Sequence, residues 1–278
     1  MMRMTETVKQ LVIINVIFYI GANTIAPAAY DYLALHYPLN DGFRWWQPLT
    51  HMFMHAELFP KSESQGLGIM HIFFNMFGLI MFGSALEHFW GWKRFLFFYI
   101  SSGLGAVLLH VGMTYYEIHS LMSQLTDLNL SEVDVNYLLS TNHYQHFNTE
   151  GKIVAGQLND ILDRVNASQE QYNIISRAAA EFQSTAVGAS GALYGILVAF
   201  AFMFPNAELM MIFIPIPIKA KYFVPAIVAF DLFMGIQGGS IFGGGGGIAH
   251  FAHVGGAVTG FLMMWIWKNN KFNHKRWD

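Results

Sequence analysis

The sequence predicts an all-α membrane protein, a six-transmembrane-helix bundle with a polar, mostly helical insert between the third and fourth spans. Three observations predict it. Hydrophobic residues make up 54% of the chain and charged residues only 12%, against about 25% charge in an ordinary soluble domain. Six apolar stretches approach or reach the roughly 20 residues that cross a bilayer. Lys and Arg gather in short turns and ends that six crossings place on one face.

The first stretch runs from about Gln10 to Tyr30, the second from about Ile69 to Leu86 and the third from about Phe95 to Tyr115. The fourth covers about Gly188 to Phe204, the fifth about Tyr222 to Ile236 and the sixth about Ile248 to Trp267. The fourth is short for a span, so it is expected to begin below the membrane surface. No small-residue cleavage site follows the first run, which therefore reads as a retained span and not a signal peptide.

The ends of the chain hold Arg3, Lys9, Lys268, Lys271, Lys275 and Arg276; the turn after span two holds Lys93 and Arg94, and the turn after span four Lys219 and Lys221. Cations favour the cytoplasmic side, so both termini are expected there and the long segment between spans three and four outside. That segment, residues 117–186, carries nine acids and three bases. Apolar residues recur at three- and four-residue steps from Ile153 to Arg164 and from Tyr172 to Phe182, which predicts helices. Asn142 to Gly151 reads as loop. The chain is thus one membrane domain, 1–278, with an extracytoplasmic insert at 117–186. Gly238 to Gly247, seven of whose ten residues are glycine, reads as a very flexible loop before span six. The aromatic and His-rich stretch Asp41–Gly68 suits the membrane interface, where amphipathic rings settle.

Composition also excludes functions. With a net charge of −3, nothing suggests a nucleic-acid partner. With no cysteine, there is no disulfide, thiolate metal site or cysteine nucleophile.

Polar side chains inside spans are costly and are functional candidates by default. Span four opens with Gly188-Ala189-Ser190-Gly191. Span six carries His250 and His253, and span two His71 and Asn75, all near their outer ends. His71 and Asn75 are four residues apart and share a helix face. Gly191 with Gly195, and Gly256 with Gly260, are small-xxx-small pairs that let two membrane helices touch backbone to backbone. If those faces meet, Ser190 and His253 lie on adjoining surfaces one turn outward. A serine hydroxyl needs a base to take its proton, and His253 is placed to be that base. Acyl transfer creates an oxyanion that needs preorganised donors. The Asn75 amide, a ring N–H of His71 and the backbone N–H of Ser190 are suitable. Tyr194, four residues beyond Ser190, could pack on the His253 ring. Bland readings compete: Gly-x-Ser-Gly strings arise by chance, glycine pairs usually mark packing alone, and His250 reads as structural. His51 and His55 could be a metal pair but lack an evident third ligand, so hydrogen-bonding or interfacial roles suit them better.

Together these patterns resemble the rhomboid family: His71-Ile-Phe-Phe-Asn75, Gly188-Ala-Ser190-Gly191 with Tyr194, and Ala252-His253-Val-Gly-Gly256-Ala-Val-Thr-Gly260, in that order on spans two, four and six. Glu87 looks like the family's glutamate at the end of span two, and Phe204 to Lys219 resembles the turn of bacterial members. The resemblance implies a cofactor-free, metal-free intramembrane serine protease that cuts single-pass membrane proteins in or near their transmembrane segments. It implies Ser190 and His253 as a dyad without a third acid, His71 and Asn75 as oxyanion residues, and 238–247 as a movable cap. It also implies a bacterial cytoplasmic membrane as the location, with lipids and membrane-protein substrates as partners. Two departures stand out. Trp46-Gln47 replaces the family's frequent Trp-Arg pair, and the 56–70 and 117–186 stretches are enlarged. The rival readings are a catalytically silent rhomboid-like protein that binds membrane clients, which would lack Ser190 or His253, and a channel, which would need polar residues through the full bilayer depth.

Overall fold

Apolar length and local capping set the helices, and small residues set how closely they approach. The computed structural model describes residues 3–58, 68–143, 156–211, 214–238 and 247–267. They form α1 (Glu6–Thr24), α2 (Ala29–Leu33), α3 (Gln47–Thr50), α4 (Gly68–Gly78), α5 (Ser84–Trp90), α6 (Trp92–Met122), α7 (Glu132–Ser140), α8 (Gln157–Arg164), α9 (Gln169–Gln183), α10 (Ser190–Met203), α11 (Ala220–Gln237) and α12 (Ile248–Trp267). A π-helical turn at Leu79–Gly83 joins α4 and α5 into one span. Among the described residues, four helical segments are long and apolar enough to cross a membrane: Gly68–Trp90, Trp92–Leu128, Ala220–Gln237 and Ile248–Trp267. The shorter apolar helix α10 and the 19-residue α1 complete the set of six.

Span one lies a few residues earlier than its apolar run suggested. The Glu87 carboxylate at the end of the second span accepts hydrogen bonds from the N–H groups of Thr7 (3.1 Å) and Val8 (3.0 Å) and from the Thr5 hydroxyl. An anion that satisfies free N–H groups at a helix start is favourable, so α1 begins at Glu6. It stops before Pro27, which disfavours helical geometry in the residue ahead of it. Span three runs past its expected end at Tyr115 to Met122. The turn after α10 is a β-hairpin, Glu208–Met211 paired antiparallel with Ile214–Lys219, with Leu209 opposite Ile218. Sequence reading took it for a plain turn.

The described chain divides into two units. The first comprises residues 1–35, 44–110 and 186–278. At its centre, most residues of α10 are buried. Its core joins Leu11, Leu79, Phe95, Tyr99, Ile196 and Met264, drawn from four surrounding segments and α10 itself. At 1.5 Å per residue, the 14 residues of α10 span about 21 Å, less than the ~30 Å hydrocarbon core. With its last residue at one edge of that core and the helix upright, its first residue would lie inside the bilayer's thickness.

The second unit comprises residues 36–43 and 111–185 and has apolar clusters of its own. Leu138, Leu158, Ile161 and Ile175 fill one; Tyr37, Ile118 and Phe182 share the other. Helices α7 and α9 start in capping boxes, Ser131 with Asp134 and Ser168 with Gln171. Hydrogen bonds from the Ser131 hydroxyl and backbone N–H, helped by Arg164 at 2.6 Å, hold the Asp134 carboxyl below the usual carboxylate range. The helix expected at Ile153–Arg164 is described from Gln157 onward. Most of the expected 142–151 loop, and the glycine stretch 239–246, lie outside the described residues.

Candidate active site

The site begins at Gly188. Its N–H donates to the His51 carbonyl at 2.9 Å, and its φ of +124° turns the chain into α10. That φ lies where L side chains strain and glycine does not. A Cβ there would also lie 3.0 Å from the His71 ring and 3.5 Å from Ser190 Oγ. The imidazole edge of His71 and the Ser190 hydroxyl thus flank one point in space. Ser190 is the first residue of α10, so its N–H has no partner one turn back in the helix.

Spans four and six meet as the small-xxx-small pairs suggest. A Cβ on Gly256 would overlap the Gly191 carbonyl, and one on Gly260 would sit 2.7 Å from the Gly195 Cα. This close contact brings Ser190 Oγ to 2.9 Å from His253 Nε2. The Tyr194 ring stacks on the His253 ring, 4.3 Å between centroids and 7° from parallel. The other nitrogen, His253 Nδ1, lies 3.0 Å from Asp231 Oδ1 on α11. His250 Nδ1 lies 2.5 Å from the same oxygen, and the Tyr194 hydroxyl donates to Oδ2. Three donors from two helices therefore converge on one buried carboxylate of a third.

The tautomers follow from these partners. A carboxylate can only accept, so His253 Nδ1 carries a proton toward Asp231 and Nε2 presents its lone pair to the serine hydroxyl. At His71 the backbone N–H of Ala56 donates to Nδ1 at 3.1 Å. The ring proton is then on Nε2, the edge that faces Gly188. Asn75 is buried, and its Nδ2 donates to the His71 carbonyl at 2.8 Å. That uses one of two amide N–H groups and, among the described residues, leaves no hydrogen bond from Asn75 to Ser190.

His51 and His55 face different partners and form no pair. His51 Nδ1 bonds the Gln47 carbonyl at 3.0 Å, and His55 Nε2 bonds Asn15 Oδ1 at 2.8 Å. Burial pushes both imidazoles down, His51 to about 4 and His55 to about 3, so both are neutral at pH 7. Fully buried Gln47 accepts the Arg44 N–H at 3.1 Å and reaches the Tyr32 carbonyl at 3.4 Å. It supplies loop-pinning bonds at the position where an arginine was expected.

Asp231 was missed by sequence reasoning, and with it the function of His250 as its partner. The signal was available: Asp231 is the one acidic residue in α11, and a lone carboxylate in a span is a functional candidate. Asp231, His250 and His253 each offer a donor atom within 4.8 Å of the others, close enough for a divalent cation. The hydrogen bonds above already engage all three.

Comparison with known families matches the chain to the Rhomboid domain over residues 42–120 and 167–270. The chain belongs to the rhomboid family. It is accordingly a multi-pass integral membrane protein of a family that acts on membrane proteins within the bilayer. The rhomboid match skips residues 121–166, which lie in the second unit. Among curated proteins no match was found.

Proposed function

We propose that this rhomboid is an active intramembrane serine endopeptidase, with Ser190 as nucleophile and His253 as general base, that cleaves single-pass membrane proteins. The observation that carries the reading is the 2.9 Å approach of Ser190 Oγ to an acceptor nitrogen of His253, which is hydrogen-bond reach for proton removal. As Oγ attacks the scissile carbonyl carbon, its proton passes to His253 Nε2. The carbonyl oxygen becomes an oxyanion, for which the Ser190 N–H, the His71 Nε2–H and the second Asn75 amide N–H are the candidate donors. His253 then delivers the proton to the leaving amine, and water hydrolyses the acyl-enzyme by the same steps reversed. No cofactor or metal is assigned a step. The termini are assigned to the cytoplasm and the 117–186 insert to the outside, by the cation-rich turns.

The competing function, a silent client-binding protein, has no need of a serine and a histidine in proton-transfer contact. A fluorophosphonate activity probe separates the two. Wild type in detergent should label covalently and cleave a single-pass test substrate. Ser190→Ala and His253→Ala should each abolish both while still inserting, and the double variant should be no worse, because residues acting as a unit are non-additive. Cleavage that survives Ser190→Ala would remove the assignment.

A further inference from the structure

Asp231 sits outside the two-residue arrangement that the family resemblance implies, yet its carboxylate is 3.0 Å from the nitrogen of His253 that faces away from Ser190. We propose that Asp231 is a positioning residue that turns the Ser190–His253 pair into a functional triad, in the chain order serine, aspartate, histidine. The inference rests on the serine protease reading above.

The physical need is a tautomer. A neutral imidazole carries its proton on either nitrogen, and only the Nδ1–H form leaves Nε2 free to accept from Ser190. A helix surface inside a membrane has little water to impose that choice. The Asp231 carboxylate imposes it, because it can accept from Nδ1 and cannot donate. Once Nε2 has taken the serine proton, the ring is a cation with the same carboxylate against its far edge. Charge that develops during the reaction is then met by a fixed opposite charge in a water-poor site.

Such a carboxylate must itself be held. Asp231 reaches the site from α11, whereas His250 and His253 belong to α12 and Tyr194 to α10. His250 fixes Oδ1 at 2.5 Å and the Tyr194 hydroxyl fixes Oδ2. With both oxygens bonded, the carboxylate cannot rotate away from His253. Tyr194 acts twice, since its ring face also stacks on His253. The network thus positions the base through two contacts on different sides of the ring. In serine proteases that carry a Ser-His-Asp triad, loss of the carboxylate lowers kcat by about 10⁴-fold through the wrong tautomer.

Purified full-length protein tests this in three measurements. In wild type, ¹⁵N imidazole NMR should find the His253 proton on Nδ1; a resting proton on Nε2 would overturn the proposal without any variant. Asp231→Ala should lower kcat by roughly 10²–10⁴-fold with KM little changed, and Asp231→Glu should recover much of that loss. A Asp231→Ala protein that melts like wild type and keeps its kcat, while Ser190→Ala is inactive, would refute Asp231 and leave the serine nucleophile standing. If Ser190→Ala is itself active, the protease reading fails instead. Wild-type activity should also survive EDTA. Its loss to chelation would make the aspartate and two histidines a cation site and overturn the positioning role.

Discussion

At Gly188 a left-handed backbone, a hydrogen bond to the His51 carbonyl and the His71 ring meet within one residue. Any Cβ would meet strain and a ring at once. The neighbouring oxyanion candidates differ in how they are prepared. His71 has its tautomer set by the Ala56 N–H, so its donor needs no reorganisation. Asn75 spends one amide N–H on its own helix and offers the other. Asn75→Ala should therefore lower kcat by about 10²-fold, the scale for loss of one oxyanion donor, with KM nearly constant. Steady-state kinetics on a single-pass substrate measures this; a rise in KM at unchanged kcat would assign Asn75 to substrate binding. His71→Gln is expected to be milder than His71→Ala, because a side-chain amide can still both accept from Ala56 and donate.

Helices α10 and α12 owe their separation to glycine. Gly191, Gly195, Gly256 and Gly260 let the two backbones touch, and Gly105 on α6 leaves room for Thr259 of α12. The Ser190–His253 distance is set by this contact, since the two side chains project from the same two helices. Gly256→Ala places a methyl against the Gly191 carbonyl. Overpacking of this kind costs about 1–3 kcal/mol when side chains must yield, and here a main chain must. The variant should melt several degrees lower in detergent, and the folded fraction should label with fluorophosphonate more slowly. An unchanged melting temperature and labelling rate would show that the helices can part without effect on the pair. The exposed apolar face of α11, with Tyr222, Phe230, Phe233 and Ile236, has the composition of a lipid-facing surface, as a span on the rim of a bundle requires.

The whole molecule joins a membrane unit to a second unit with capped helices and its own apolar clusters. The family match leaves out 121–166, all within that second unit, whereas every residue of the candidate site belongs to the first. Removal of 121–166 with a short flexible reconnection should thus leave fluorophosphonate labelling of Ser190 close to wild type. Cleavage of the native substrate should fall if the insert recruits substrate ectodomains. Loss of labelling in a correctly inserted variant would show that the insert supports the dyad itself. Protease protection in oriented vesicles reports its side of the membrane, and the proposed orientation expects it outside.

The sequence by itself determined what depends on local order: six apolar runs, the faces shared by residues three and four apart, the small-residue seams, and the candidate side chains His71, Asn75, Ser190, Tyr194 and His253 on those runs. These are properties of composition and helical period, which need no knowledge of a partner. Tertiary structure decided what depends on two distant segments meeting. Glu87 capping α1 across the chain, Gln47 pinning its loop, and the hairpin at 208–219 are of this kind. Asp231 is the clearest case. In sequence it is one carboxylate on an apolar helix, 22 residues from His253 and 37 from Tyr194. Only the packing of α11 beside α10 and α12 puts its two oxygens among three donors. A hydrogen bond is a property of distance and direction in space, and neither is written in the spacing of residues on separate helices.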